Sequence, residues 1–424
     1  MTFVGREREL ARLAAALERA ARGDGARLAL VGPAGVGATR LLTELAERLR
    51  GLPDVVVARG TAYVPQSGTP YAALGEALAG ALATVADERL VAVLGPWRHE
   101  LAELVPEVRG RLAALGVPDE PPWTIPPDQR GVRVAEAVLG VLERVAGDGV
   151  LLLALEDLHW ADPGTRRFVE TVLRTRRRLP LCLVVTYRPE ELHLRHPMRQ
   201  LAAALEEDQA VERMELAPLE RHQLVAMLED LTGERPSGAF VAAVVAGSGG
   251  LPLLAEQLVA AQRANAGIRL SDPFEEILGA RLATLSVGAV RCLRLLAAAR
   301  RPLPAALVRR LELRGGGVPS AAVDEAVESG LASLAPESPH GTLLGIRHER
   351  YAGRSRSCPC PPSDSRSTRP LPARSTDGPR SRHGTGRRRC ASPPPPRRTW
   401  PPASWPRPSS PVVPRSCTSS AHWS

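Results

Sequence analysis

The chain has 424 residues, of which 44% are hydrophobic and 24% are charged, and its formal net charge is +9. This length accommodates two or three domains with a sizeable core, and no apolar stretch approaches the roughly 20 residues of a membrane-spanning helix. Residues 352–424 hold 14 Arg against 2 Asp, so residues 1–351 carry a net charge of −3. The basic balance therefore gives no argument that the folded part binds nucleic acid.

The first predicted elements are a strand, a glycine-rich loop and a helix, in that order. Residues 27–31 are an apolar run typical of a buried strand, and residues 39–50 have the spacing of an amphipathic helix. The loop between them matches the phosphate-binding P-loop pattern G-x-x-x-x-G-K-[ST] except at the lysine position, where alanine stands. Its residues are Gly32, Pro33, Ala34, Gly35, Val36, Gly37, Ala38 and Thr39.

The loop predicts a nucleotide site without its usual cation. Its glycines let backbone amides curl around a phosphate, the helix N-terminus favours the same anion, and the Thr39 hydroxyl is a ligand for Mg²⁺. No ammonium is available at Ala38, because the sequence contains no lysine; Arg40, which we include in the loop set, points elsewhere on the helix. We therefore expect ATP or ADP to bind weakly and to be hydrolysed little. The alternative is an ordinary Gly/Pro turn.

A second predicted strand ends in two carboxylates. Residues 150–155 form a continuous apolar run, as in parallel strands that are buried on both faces, and Glu156 and Asp157 follow. The carboxyl end of such a strand lies beside the P-loop, so we expect Glu156 to share a Mg²⁺ shell with Thr39 and Asp157 to orient the attacking water. The alternative is a solvated acidic strand end.

A third apolar run, residues 181–186, places Arg188 at the same rim. Two interpretations stay open for this side chain. It either senses the γ-phosphate of a nucleotide, or it pairs with the neighbouring carboxylates of Glu190 and Glu191.

Four motifs together resemble one family. They are FVGRERE at 3–9, the P-loop, LALEDLHWADPGT at 153–165 and TYRPEE at 186–191. In this order they resemble the STAND class of AAA-related ATPases, and more narrowly the ATPase module of large LuxR-type transcriptional regulators and modules associated with adenylate cyclases. The resemblance covers about residues 1–351. It implies an ATP/ADP and Mg²⁺ site on an α/β P-loop NTPase fold, with helices on both faces of a parallel sheet.

The resemblance also implies further contacts with the nucleotide. Val4, Gly5 and Arg6 would lie against the adenine and ribose; as bare sequence, Phe3 and Val4 staple the first helix instead. A Gly-x-Pro turn at 250–252 would bring Pro252 to the nucleotide from a helical lid. The alternative is an ordinary helix-breaking turn without a nucleotide contact.

The domain boundaries follow from breaks in composition. We expect a nucleotide-binding domain over 1–217 with a mostly helical insertion over about 65–130, a helical lid over 218–272, and a winged-helix module over 273–351. Helices are predicted at 280–299 and 320–334 in that module, and His348 is a candidate contact for a bound diphosphate.

The composition changes abruptly after Tyr351. Residues 352–424 contain 16 Pro and almost no branched aliphatic residues, so they predict a disordered tail. Three interpretations compete: a basic arm that binds nucleic acid or acidic partners, a Pro-rich linker, and a stretch translated out of frame. We favour the third, because Arg, Pro, Ser, Ala and Gly codons dominate misread frames of GC-rich DNA.

These predictions describe an ATP-binding signalling switch of a bacterial transcriptional regulator in the cytoplasm. Expected partners are the nucleotide and other protein chains or copies of this one; DNA would bind only through a further C-terminal domain, and no membrane is involved. Two alternatives stay open. The chain is either an interaction scaffold that has lost nucleotide binding, or a nucleic-acid binder through its basic tail.

Overall fold

The computed structural model of the chain describes residues 3–63, 70–118, 127–175, 179–263, 274–299, 301–310, 320–338 and 341–346. The prediction for His348 and those for the tail lie outside this described part.

Five parallel strands form the central sheet. They are β1 (Ala26–Val31), β2 (Val55–Thr61), β3 (Val150–Glu156), β4 (Leu181–Tyr187) and β5 (Val211–Glu215). Their order across the sheet is β2-β3-β4-β1-β5, and each neighbouring pair runs parallel. Every residue of β3 and β4 is buried, which requires packed helices on both faces. The predicted P-loop NTPase fold is confirmed.

Nine helices in the described part accompany this sheet. They are α1 (Glu7–Ala21), α2 (Ala38–Leu49), α3 (Ala72–Ala83), α4 (Asp87–Leu94), α5 (Arg98–Leu104), α6 (Pro106–Ala114), α7 (Pro127–Ala146), α8 (Pro163–Arg174) and α9 (Arg199–Glu207). Helix α2 buries Leu41, Leu42, Leu45 and Leu49, the stripe expected for an amphipathic helix lying on a sheet. Helix α8 begins after Asp162, whose carboxylate accepts hydrogen bonds from the backbone N–H groups of Gly164 and Thr165.

Helices α3 to α6 fall within the predicted helical insertion. Helix α3 lies so close to β2 that a Cβ added to Gly60 would stand 1.8 Å from the carbonyl oxygen of Ala73. Only glycine allows this approach of two backbones, so Gly60 fixes the insertion against the edge of the sheet.

Three helices follow the sheet: α10 (Arg221–Thr232), α11 (Gly238–Ser248) and α12 (Pro252–Arg263). They occupy the region predicted as a lid. The start of α10 is closed by a reciprocal capping box between Glu220 and Gln223, and the Ser237 hydroxyl accepts a hydrogen bond from the N–H of Phe240 at the start of α11. The three helices bury an apolar cluster of their own, which includes Leu224, Val244 and Leu258.

The last described region combines helices with a small antiparallel sheet. Its elements are α13 (Phe274–Ala283), α14 (Val287–Ala299), β6 (Leu303–Pro304), α15 (Ala305–Arg310), α16 (Ser320–Glu328), β7 (Ala332–Ser338) and β8 (Gly341–Ile346). The strand order is β6-β8-β7. The assignment of this region as a winged-helix module stays a prediction.

Two helix predictions in this region were wrong in their bounds. Instead of one helix over 280–299, α13 ends at Ala283 and α14 starts at Val287, because the Ser286 hydroxyl accepts a hydrogen bond from the N–H of Ala289 and so caps a new helix. Instead of continuing to Leu334, α16 ends at Glu328. Gly330 follows in the left-handed conformation, and Leu334 lies in β7.

The buried apolar residues divide into clusters that follow the chain. One spans the sheet and its helices, from Ala29 to Val211; the lid cluster runs from Leu219 to Ala261, and the third from Leu278 to Leu344. Among the described residues, no helix combines the length and apolar character that a membrane crossing requires.

Candidate functional site

The P-loop forms a curled turn between β1 and α2. Gly35 and Gly37 have φ values of 85° and 101°, a conformation that side chains strain to adopt, and the N–H of Val36 donates to the carbonyl of Pro33 at 3.1 Å. A Cβ added to Gly37 would meet no atom within 4 Å. The loop is therefore curled, with open space at Gly37, as an anion-binding turn requires.

Ala38 and Thr39 open α2, so the first turn of that helix continues the loop. Thr39 and Arg40 are exposed, whereas Val36 is 2% exposed and packs inward. Gly32 lies close to the carbonyl of Leu216, where an added Cβ would stand 3.0 Å from that oxygen. The loop thus rests on the segment that leads into the lid.

Arg6 holds the P-loop through hydrogen bonds to backbone carbonyls. Its guanidinium donates to the carbonyl of Val36 at 3.1 Å, to the carbonyl of Ala217 at 2.6 Å, and to Glu9 at 2.9 Å, and the residue is only 6% exposed. Gly5, in the left-handed conformation, accepts a hydrogen bond from the side-chain amide of Gln223 at 3.0 Å. The motif at 3–9 therefore joins the loop to the lid. The half-buried Val4 lies beside it.

The helices in the region predicted as a lid contact the P-loop through the start of α12. Pro252 is the first residue of this helix, and the N–H of the next residue, Leu253, donates to the carbonyl of Gly35 at 3.3 Å. The Leu253 side chain also packs on Gly35, where an added Cβ would stand 3.0 Å from the Cβ of Leu253. Sequence reasoning singled out Pro252 and missed Leu253, because leucine carries no polar signal.

Glu156 lies at the carboxyl end of β3 as predicted, but it already has a charged partner. Its Oε1 is 2.6 Å from Arg59 of β2, and the Glu156 side chain is 2% exposed. Its Oε2 is buried without a hydrogen-bond partner in the described part of the chain. The other guanidinium nitrogen of Arg59 donates to the Thr43 hydroxyl of α2 at 3.2 Å. Sequence reasoning did not find Arg59.

Asp157 pairs with Arg188 across the ends of β3 and β4. The distance from Arg188 to the Asp157 carboxylate is 3.2 Å, and the backbone N–H of Asp157 donates to the Thr186 hydroxyl at 2.8 Å. Asp157 has a φ of 54°. Burial raises the pKa of Asp157 to about 6, outweighing the lowering effect of Arg188. The structure thus pairs Arg188 with Asp157 rather than with Glu190 or Glu191.

His159 is buried behind this pair. Its side chain has no exposed surface, and neither ring nitrogen makes a hydrogen bond within the described residues. Burial, with the nearby charge of Arg188, lowers the pKa of His159 to about 3. Its Nε2 lies 3.9 Å from Asp157, but the neutral ring forms no ion pair there. The ring packs on Trp160, over which the Arg188 guanidinium also lies at 5.1 Å.

Glu190 occupies one amide of the P-loop. Its Oε1 accepts a hydrogen bond from the N–H of Ala34 at 2.9 Å. A carboxylate at this position carries the same sign of charge as a phosphate. An anion that uses the Ala34 amide therefore has to displace it.

The residues fit a nucleotide phosphate in part. Two left-handed glycines and the α2 N-terminus supply a cradle for an anion. The Oε2 of Glu156, which has no partner among the described residues, and the exposed Thr39 hydroxyl are oxygen donors of the kind that suits Mg²⁺. No lysine supplements the cradle.

Residues 2–185 match the family model described as an AAA ATPase domain. The part of the chain that carries the P-loop is thus similar to AAA ATPase domains. The matched range includes the P-loop, Arg59, Glu156 and Asp157. Arg188 and Pro252 lie outside this range.

The chain is also similar to individual proteins. It is 26% identical over 308 residues to the uncharacterized protein R02095 of Rhizobium meliloti (strain 1021), covering 67% of this chain and 28% of that protein. The chain thus spans just over a quarter of that relative's length.

Two solved structures resemble it more distantly. The STAND protein with a tetratricopeptide repeat sensor from Pyrococcus horikoshii is 12% identical, with 84% of this chain and 42% of that chain covered and a TM-score of 0.47. The Walker-type ATPase of Pyrococcus abyssi is 13% identical, with 84% and 96% covered and a TM-score of 0.40. Both TM-scores lie below 0.5, so these structures carry no argument about function.

Proposed function

We propose that this chain binds ATP or ADP at its P-loop, with little hydrolysis, and acts as a nucleotide-controlled switch module in signalling or transcriptional control. The proposal rests on one observation. The P-loop backbone is bonded directly by two other segments, since Arg6 donates to the carbonyl of Val36 and Leu253 donates to that of Gly35. A phosphate that shifts either carbonyl changes the bonds of both segments, so nucleotide binding biases how the lid sits.

The same contacts extend to the last region. Leu253 packs against the apolar cluster of that region as well as against Gly35. Buried Arg281 of α13 donates to the side chain of Gln257 in the lid and to the carbonyl of Ser329 after α16. A change at the P-loop is thereby passed through packed side chains to the third module.

Weak turnover follows from the charges at the site. Ala38 supplies no cation for the transferring phosphoryl group, which usually costs orders of magnitude in rate. The carboxylates are already engaged, Asp157 by Arg188 and one oxygen of Glu156 by Arg59, and Glu190 sits on the loop. Binding then depends on backbone amides and on displacement of Glu190.

Several finer assignments belong to this proposal. We propose that Val4 approaches the base and sugar of the nucleotide and that Pro252 approaches the nucleotide from the lid. We also propose that Arg188 responds to the γ-phosphate by leaving Asp157, and that the chain divides at about residues 217 and 272. The location of these boundaries is supported by the separate apolar clusters. The regulatory context, the cytoplasmic location and any protein partner are proposed in the same sense.

Restoring the missing cation tests the proposal. ATP and ADP binding would be measured by calorimetry, and phosphate release by a coupled assay, for the full chain and for Ala38→Lys. We expect weak binding and negligible turnover in the parent, and tighter binding with measurable turnover in the variant. Ala11→Lys adds the same charge on the exposed surface of α1 and should change neither quantity. Brisk turnover in the parent, or no binding in either protein, contradicts the proposal.

A further inference from the structure

Arg59 places a positive charge beside the helix that follows the P-loop, whereas the loop itself has no lysine. In β2 it stands opposite Ala154 of β3, and two residues further on Thr61 stands opposite Glu156. Residues two apart on a strand point to the same face, so Arg59 and Glu156 share the face of the sheet on which the Thr43 hydroxyl of α2 lies. The register therefore places one guanidinium between the P-loop helix and the acidic strand end.

The contacts of Arg59 join these two parts. One nitrogen lies 2.6 Å from Glu156 and another donates to Thr43 at 3.2 Å, and the Thr43 hydroxyl in turn donates to the carbonyl of Thr39 at 2.8 Å. The side chain of Arg59 is 27% exposed and that of Glu156 is 2% exposed. A planar guanidinium can hold both partners at once, which a point charge does less well.

A carboxylate as buried as Glu156 requires a nearby opposite charge. In many nucleotide sites a lysine and Mg²⁺ are available for this, but this chain has no lysine. Without Arg59, the negative Glu156 would stand uncompensated at the rim where we place a negatively charged triphosphate. Like charges in a partly dry site repel strongly, so the nucleotide would bind more weakly unless Mg²⁺ supplied the missing charge.

We propose that Arg59 is a positioning residue that neutralises Glu156, anchors it to α2, and thereby lets a triphosphate bind without a P-loop lysine and with little dependence on Mg²⁺. This inference rests on the proposed function, because it presumes that ATP binds at this loop. It goes beyond that function by naming the residue that makes binding possible and by predicting its response to the metal.

The test measures ATP affinity by calorimetry with Mg²⁺ and with a chelator, for the parent and for Arg59→Gln. In the parent the two affinities should agree within a factor of about three, whereas in Arg59→Gln the affinity in chelator should fall about tenfold or more and recover largely with Mg²⁺. A loss of packing alone would lower both affinities together. Arg59→Lys should retain most of the parent's affinity in chelator, since it keeps the charge.

Two further variants make the result decisive. Arg48→Gln removes an arginine of α2 that pairs with Glu44 at 3.0 Å on the surface, and it should leave both affinities unchanged. If Arg59→Gln does not fold, the double variant Arg59→Gln with Glu156→Gln removes the uncompensated charge and should bind ATP in chelator within about threefold of the parent.

The outcomes separate the two proposals. A parent that binds no ATP under either condition overturns the proposed function and this inference with it. A parent that binds ATP, together with an Arg59→Gln variant of unchanged affinity or equal loss with and without Mg²⁺, overturns the role of Arg59 alone. A parent that binds only with Mg²⁺ also overturns it, because Arg59 would not then be neutralising Glu156 for the nucleotide.

Discussion

Replacing Arg6 distinguishes a residue that holds the P-loop from one that merely touches a nucleotide. The family resemblance implies contact with the adenine and ribose, whereas the structure buries the Arg6 guanidinium in bonds to the carbonyls of Val36 and Ala217 and to Glu9. Arg6→Met keeps a flexible apolar side chain and removes the charge and every donor. We therefore expect it to destabilise the protein with no nucleotide present.

The size of the effect follows from these contacts. The side chain of Arg6 is 7% exposed, so water does not replace the lost donors. A hydrogen bond from a charged group contributes about 1.5–3 kcal/mol, and two carbonyls lose such a donor, so the unfolding free energy should fall by about 4 kcal/mol. A domain of ordinary stability of about 5–15 kcal/mol remains folded after that loss.

The measurement is urea unfolding of the full chain, followed by far-ultraviolet circular dichroism without nucleotide. Arg8→Met is the matched control: Arg8 lies exposed in the first turn of α1, two residues after Arg6, and its loss should change the unfolding free energy by less than about 0.5 kcal/mol. If Arg6→Met unfolds at the parent's urea concentration and differs only in ATP binding, the role of Arg6 as an anchor is refuted.

Two further predictions concern packing and pH. Gly60→Ala in β2 should lower the unfolding free energy by about 3 kcal/mol, because the added Cβ meets the carbonyl of Ala73 in α3. Gly80→Ala in α3 has open space around its added Cβ and should raise the unfolding free energy by about 0.5–1 kcal/mol. Equal unfolding free energies of the two variants in urea would refute this packing. The folded chain holds the pKa of His159 near 3 against an ordinary 6.5, so stability is lost as pH falls through this window. Between pH 7 and pH 5 the unfolding free energy of His159→Leu should therefore fall by about 2 kcal/mol less than that of the parent. An equal fall of both proteins in urea titrations would show that His159 is not buried as a neutral ring.

Local sequence was sufficient for the P-loop and for three of the five parallel strands, β1, β3 and β4, whereas β2 and β5 were not predicted. The apolar runs at 150–155 and 181–186 predicted β3 and β4 to within one residue, because strands buried on both faces consist largely of consecutive apolar residues. The glycines of the P-loop predicted a curled turn, since their left-handed conformation is set by their lack of a Cβ. Helix ends after α13 and α16 were missed although Ser286 and Gly330 are local cap signals.

What the sequence determined by itself was the kind of fold and the missing cation, because both are written in neighbouring residues: apolar runs, glycine spacing and an alanine at position 38. Only the tertiary structure decided which charges compensate the site. Arg59 meets Glu156 because parallel pairing sets their register across two strands that are far apart in the chain, and Arg6 reaches Val36 and Ala217 because folding brings three segments together. The partners of long charged side chains depend on which groups lie nearby in the folded protein, and the periodicity of the sequence does not predict these distances.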